Sequence, residues 1–300
     1  MDASCLLQQQ EKRVAAEALV NRYQFLIDRY QTFLDFAYFS DNTPPRLDAT
    51  FPEYSLLITA SRLQSLAWAL SDAPEKNIDR EIQQLRHWLA QDHSLISKMI
   101  ANAMLAEKLQ LTALLVQQGK MPTLRLAPLT TAEKSFQAPL QKEFAMMAHF
   151  FIDEQYRDGN EAASWIEEIQ FRAGLKKHIS VNRMLPLYQY YAQLAEQPVD
   201  AIEADQFHPD PASMSEAIRN PIGNVLLETA SPDFKQYLLR LVHLDARMAL
   251  LKQLDKTETD NPVNNPWTPG KEDTLTRRDK QLCFRHAPDH DRYNSCLPLL

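Results

Sequence analysis

Cys283, His286, His290 and Cys296 stand close together in the spacing C-x2-H-x3-H-x5-C. Two soft sulfurs and two imidazoles are the donor set of tetrahedral zinc. The order is not that of a familiar zinc finger, and Pro288 separates the histidines, so a metal would have to organise a very short loop. The same cysteines can instead close that loop as a disulfide, which would contribute on the order of 3 kcal/mol in an oxidising compartment. Free thiols are the third reading. Cys5 lies alone at the other end of the chain.

A second set of candidates lies on one apolar stretch, where Ser94, Lys98 and Asn102 recur every four residues among Leu95, Ile96, Met99, Ile100, Ala103 and Met104. An amine on such a stripe needs hydrogen-bond partners or titrates away from its usual range, and groups of that kind are enriched in sites. The plainer reading is that the Lys98 stem lies along the surface with its head in water. His149 and Asp153 are one helical turn apart. Asp153-Glu154 and Glu167-Glu168 are acidic pairs, but sequence neighbours point to different sides of a helix, so neither pair forms a two-carboxylate dyad. Tyr188, Tyr190 and Tyr191 beside Leu187 suit core packing better than a partner-binding face.

Motifs that would name a reaction are missing. The five glycines, at 119, 159, 174, 223 and 270, are isolated, so GxGxxG, GxxxxGK[ST] and GxSxG cannot be written. ExxH and HExxH are absent too, which withdraws the sequence support for helical di-iron and zinc-protease sites. Scattered Ser, His and Asp identify no triad without geometry.

The elements that must position these residues are helices. Apolar residues at spacings of three and four predict one helix over 4–39 with Leu19, Tyr23, Leu26, Tyr30, Phe33 or Leu34 and Ala37 on one face. A second runs over 52–71 with Leu56, Leu63, Leu66 and Leu70 inward. A third follows Pro74 with Ile78, Ile82, Leu85 and Leu89, and a fourth spans 92–118 and stops at Gly119. Thr130 with Glu133 is a capping-box pattern opening a helix through Phe136, Leu140, Phe144, Met147 and Phe151. Helices follow over 162–171 and 181–196, with Pro186 in the first turns of the latter. Residues 198–211 read as a loop, Asn220-Pro221-Ile222-Gly223-Asn224 as a structured turn, and Ser231-Pro232-Asp233 as the cap of a last helix ending near 255. The expected architecture is mainly α: a domain of about seven to nine helices over 1–256, no sheet of more than three strands, and a proline-rich module over 257–300 packed on it. Residues 274–277 and 281–285 suit a short hairpin.

A 45% hydrophobic composition supports a substantial core. The net charge of −7 argues against a general nucleic-acid surface, although local basic patches remain open. No run reads as an apolar stretch of about 18 to 20 residues, and Met1-Asp2-Ala3-Ser4-Cys5 lacks the plan of a signal peptide, so the chain reads as soluble and untargeted.

Four stretches carry a resemblance: ALVNRYQFLIDRYQTFLDF from Ala18, SLISKM from Ser94, VNRMLPLY from Val181, and NPIGNVLLETASPDFKQYLLRL from Asn220, with Asn265-Pro266-Trp267 leading to Leu282-Cys283-Phe284 as a closing segment. The chain resembles an uncharacterised family of bacterial cell-envelope proteins that carry an N-terminal membrane anchor followed by a helical periplasmic region. The resemblance implies a periplasmic location, a helical architecture with a closing hairpin, and membrane association only through an anchor outside these residues. It brings no activity, cofactor or catalytic residue. In that compartment the Cys283–Cys296 disulfide is favoured over zinc. The function expected from these readings is a non-enzymatic envelope scaffold or adaptor contacting an envelope protein. The alternative is a hydrolase or other enzyme with an interhelical pocket around Lys98, Asn102, His149 and Asp153.

Overall fold

The computed structural model describes residues 12–72, 74–91, 94–153, 173–208, 210–230, 232–254, 262–288 and 295–300. The fold is mainly α-helical with a small C-terminal group of antiparallel strands. In chain order the helices are α1 (Arg13–Arg22), α2 (Gln24–Leu34), α3 (Tyr54–Leu70), α4 (Glu75–Gln91), α5 (Leu95–Gln117), α6 (Thr131–Lys134), α7 (Gln137–Ile152), α8 (Lys177–Leu194), α9 (Val199–Ala204), α10 (Met214–Arg219), α11 (Pro221–Ala230) and α12 (Lys235–Leu251).

Helix α5 explains the arrangement of the rest. Leu, Ala and Met occur around its whole circumference, and a helix apolar on every side must be covered on every side. α3, α4, α7, α12 and a strand of the tail all pack on it, and Ala101, Leu105, Leu109, Leu111, Ala113, Leu114 and Leu115 have no exposed surface. By length and composition α5 could cross a membrane, but 67% of its apolar window is buried within the fold, as befits a core helix. Ser94 caps its start, accepting from the Ser97 amide. Gly119, at φ +70°, ends it: the Lys120 amide reaches back to the Leu115 carbonyl at 3.0 Å, a turn that needs the left-handed conformation glycine adopts without strain.

Elsewhere tertiary packing redraws the expected boundaries. The first predicted helix is two, broken at Tyr23, and Leu19 and Tyr23 are exposed while Ile27, Tyr30 and Leu34 are buried. Leu56, expected inward, is also exposed. The capping box of Thr130 and Glu133 is present, yet it opens only α6; the chain turns at Ser135 so that Phe136 buries its ring, and α7 starts afresh. α8 begins at Lys177, so Pro186 lies inside the helix and not in its first turns. Burial of Met184, Leu187, Tyr188 and Tyr191 holds that helix together against the proline's missing donor. The predicted loop over 198–211 contains α9, and a second capping box, Ser213 with Glu216, opens α10. α12 starts at Lys235, whose amide donates to Asp233, rather than at Pro232. The helix expected over 162–171 lies outside the described residues.

The turn expected at 220–224 is the start of α11. Asn220 accepts from the Lys176 amide at 2.6 Å and donates to Ser180 Oγ at 3.0 Å, tying α11 to α8. Gly223 permits this approach, because a Cβ there would stand 2.1 Å from Ser180 Oγ and 2.4 Å from the Asn220 amide. Gly223→Ala should therefore lower the unfolding free energy by about 1–3 kcal/mol, the range of core overpacking. Urea titration checks this, and an unchanged midpoint would mean that α8 and α11 do not meet so closely.

The tail consists of β1 (Val263–Asn264), β2 (Glu272–Asp273), β3 (Leu275–Arg278), β4 (Gln281–Phe284) and β5 (Leu297–Pro298). β1 pairs with β2, and β3, β4 and β5 form a three-stranded antiparallel sheet. The hairpin turn is Asp279-Lys280, both at positive φ, the geometry of a two-residue turn that matches strand twist. Trp267, Leu282, Phe284 and Leu297 bury into the helical core. Gln117 at the end of α5 donates to the Pro298 carbonyl and accepts from the Leu300 amide. Ser295 accepts from Trp267 Nε1 at 2.6 Å and lies 2.8 Å from His243 Nδ1 on α12.

Candidate functional site

Because α5 is buried all round, its polar residues are buried with it. Lys98 does not lie along the surface. It is 1% exposed, donates to the Leu89 and Glu133 carbonyls at 2.6 and 2.9 Å, and sits over the Phe136 ring. Ser94 is the buried cap already described, and Asn102 is buried with an Oδ1 that has no hydrogen-bond partner. The stripe thus ties α5 to the end of α4 and to α6.

Two further buried clusters were not singled out by spacing. Lys108, also on α5, has no exposed surface and lies 3.1 Å from Glu81 of α4. It donates to the Ser61 carbonyl at 2.8 Å and to Ser65 Oγ, and faces the Trp68 ring. Glu81 Oε1 also accepts from the Tyr30 hydroxyl and Ser61, while Oε2 has no partner. Burial pushes the Glu81 carboxyl up and the Lys108 ammonium down, each opposed by the other's charge. Burial and the neighbouring Glu81 raise Tyr30 as well. The available sequence signal was the all-round apolar character of 95–117, which buries any lysine placed on it.

In the second cluster Arg86 holds Glu133 through two parallel bonds of 2.6 and 2.9 Å and also donates to the Ala127 and Pro128 carbonyls. Burial would raise the Glu133 carboxyl, but Arg86 and the Thr130 amide and hydroxyl outweigh it and hold it below the ordinary range. A folded value below the unfolded one means a contribution present above the unfolded value and lost as pH falls through the folded one. Glu133→Gln should therefore flatten the loss of stability between about pH 5 and pH 3. Urea titrations of both proteins across that range test it, and parallel slopes would remove Glu133 from the acid response.

The remaining candidates are dispersed. His149 is exposed on α7, and Asp153 caps that helix and lies 3.7 Å from Arg46. Neither lines a cleft with Lys98 or Asn102 in any of the clefts described below. Tyr188 and Tyr191 are buried against Phe234, and Tyr190 donates to Asp205. Cys283 and Cys296 are joined, their sulfurs 2.07 Å apart. That bond uses both sulfurs of the zinc alternative, while His286 turns its Nδ1 to Asp273 at 2.7 Å. His290, Cys5, Glu154, Glu167 and Glu168 lie outside the described residues. Among the described residues no group of three or more His, Cys, Asp or Glu is arranged to hold a metal ion.

The open concave surfaces have a different character. A groove between α7, α8 and α11 is walled by Met147, Phe150, Met184, Leu187, Leu226 and Leu227. A cleft of about 140 Å³ between α9, α12 and the tail contains Lys134, which forms an ion pair with Asp245 at 2.6 Å. The third cleft, about 200 Å³, lies between α4 and the segment after α2. Phe33, Phe39 and Trp88 form its floor, their ring centroids 4.4–5.6 Å apart. Phe36 and Tyr38, each 62% exposed, form its rim, and Gln84, His87 and Gln91 recur along the facing side of α4. His87 Nε2 lies 2.9 Å from the Ala37 carbonyl, the Phe39 amide donates to Gln91, and Arg80 pairs with Asp35. These bonds pin the aromatic segment against α4.

No protein-family model matches the chain, and no curated protein or solved structure matches it.

Proposed function

We propose that the protein is a non-enzymatic scaffold or adaptor of the cell envelope that works through protein–protein contacts. The observation that supports this reading is the aromatic cleft at Phe33–Ser40 and Gln84–Gln91. It is open, held in shape by side-chain bonds to the loop, and among the described residues lined by no carboxylate, lysine or cysteine. Such a surface offers contact area and neutral hydrogen bonds, which serve recognition. The groups best suited to acid–base chemistry, Lys98, Lys108, Glu81, Arg86 and Glu133, are instead buried among partners from neighbouring helices.

In-cell crosslinking followed by purification should recover a reproducible envelope partner, and Phe36→Ala should reduce its yield. Recovery of cytosolic proteins alone, under matched controls, would sink the reading.

A further inference from the structure

We infer that the open edge of β3 takes up an extended, acidic segment of a partner protein as a fourth strand of the tail sheet. This edge belongs to other elements than the aromatic cleft, and its proposed use is independent of that cleft. Two features carry it: the backbone groups that β3 leaves open, and the charges that flank them.

Among the described residues, the strand order β3-β4-β5 leaves β3 with one neighbour. In an antiparallel pair, residues that exchange both bonds with the partner strand alternate with residues whose N–H and C=O point away from it. The phase is set at both ends of the hairpin. Asp279-Lys280 is a two-residue turn flanked by the Arg278–Gln281 pair, and the Arg285 amide donates to the Thr274 carbonyl at 3.0 Å. Thr274, Thr276 and Arg278 therefore bond towards β4, while the N–H and C=O of Leu275 and Arg277 point outward. β4 keeps the same phase on its other side: the Leu299 amide donates to the Lys280 carbonyl at 2.7 Å, and Leu282 pairs with Leu297. Among the described residues no hydrogen bond reaches the outward groups of Leu275 or Arg277. Such an edge is a template for another strand.

The charges select the strand. Residues 274–285 carry Arg277, Arg278, Lys280 and Arg285 against Asp279 alone, a net of +3 in a chain of net −7, so the other residues together carry −10. All four cations are exposed, and Arg277, Lys280 and Arg285 form no ion pair among the described residues. Side chains alternate between the faces of a sheet, so Arg277 lies on the face of Leu275 and Arg278 on the face of Thr276. Neighbouring carboxylates on an added strand thus each meet an arginine, one on either face. A second copy of this chain is the wrong occupant, because two β3 edges paired about a two-fold axis would set these arginines against each other. A lipid headgroup or a nucleic acid would use the cations and leave the outward backbone groups without partners. The edge is four residues long, about 14 Å at 3.4 Å per residue, the span of a short acidic segment.

The test uses the whole chain as bait for a phage-displayed random dodecapeptide library, with the enriched peptides titrated by fluorescence anisotropy. The expected result is enrichment of peptides with adjacent Asp or Glu residues. Arg277→Gln should weaken their binding about threefold, the loss of one exposed ion pair. Arg277→Pro also removes the outward N–H. That N–H makes no bond to β4, so the proline variant should keep the urea midpoint of Arg277→Gln while binding about fivefold more weakly than it. Methylating the peptide's backbone nitrogens one at a time reads the same geometry from the other side: within the bound segment, alternate positions should abolish binding and those between should spare it. This series needs no altered protein, so it decides the case if the proline disturbs the hairpin. No enrichment of acidic peptides, binding indifferent to Arg277, equal weakening by two variants of equal midpoint, or methylation effects without alternation would each overturn the inference. Phosphatidylglycerol vesicles or single-stranded DNA that bind where the peptides do not would mark a plain anion-binding patch and overturn it too. Phe36→Ala should leave peptide binding unchanged; a loss would place the peptides in the aromatic cleft and remove them from this edge.

Discussion

Lys108→Ala should lower the unfolding free energy by about 3–5 kcal/mol, the cost of leaving one member of a buried ion pair without the other. Glu81 would keep its carboxylate in a site 1% exposed, with the Tyr30 hydroxyl and Ser61 as its remaining partners. The result separates a structural pair from one that merely happens to be buried, because replacing all its members by apolar groups removes the unpaired charge as well. Lys108→Met with Glu81→Leu and Tyr30→Phe should recover most of the loss. Urea unfolding of the wild type, the single variant and the triple variant measures both effects. A single variant within about 1 kcal/mol of the wild type would contradict the buried pairing.

The second large effect concerns the tail. Chain entropy assigns about 3 kcal/mol to a disulfide closing a loop of this length, so reduction, or Cys283→Ser with Cys296→Ser, should lower stability by that order. Protein isolated from its native compartment should yield the linked Cys283–Cys296 peptide under non-reducing conditions. Two thiols that alkylate without reductant would reject the bond in the cell. Stoichiometric zinc lost on substituting His286 or His290 would support the metal site instead.

Helical class, the stop at Gly119, the capping box at Thr130 and the hairpin around Asp279 were legible because each depends on local chemistry. The early break at Tyr23, the restart after Phe136 and the helix running through Pro186 were not, since in each case burial against a distant helix overrides local preference. The candidate site divides in the same way. Lys98 was visible as an anomaly on an apolar stretch, but its role as a donor to two carbonyls depends on α6, which follows a long connection. Lys108 has Glu107 beside it and reads like an exposed charge pair; in the fold Glu107 turns outward to Arg62 and Lys108 turns inward. The aromatic cleft left no motif, because Phe36 and Tyr38 acquire their meaning only when Trp88 and Gln84 come to face them.

The attachment of β5 to α5 also bears on the order of events during synthesis. The Gln117 amide meets the Pro298 carbonyl across 181 positions of chain. At about 5–20 residues per second, α5 would wait on the order of 10 to 40 s outside the ribosome before the strand that covers one of its sides has been made. The side of α5 that β5 covers is open to other nascent chains for that interval, so a translating ribosome stalled before residue 297 should recruit holdase chaperones more than one carrying the finished chain, and release of the last residues should end that association.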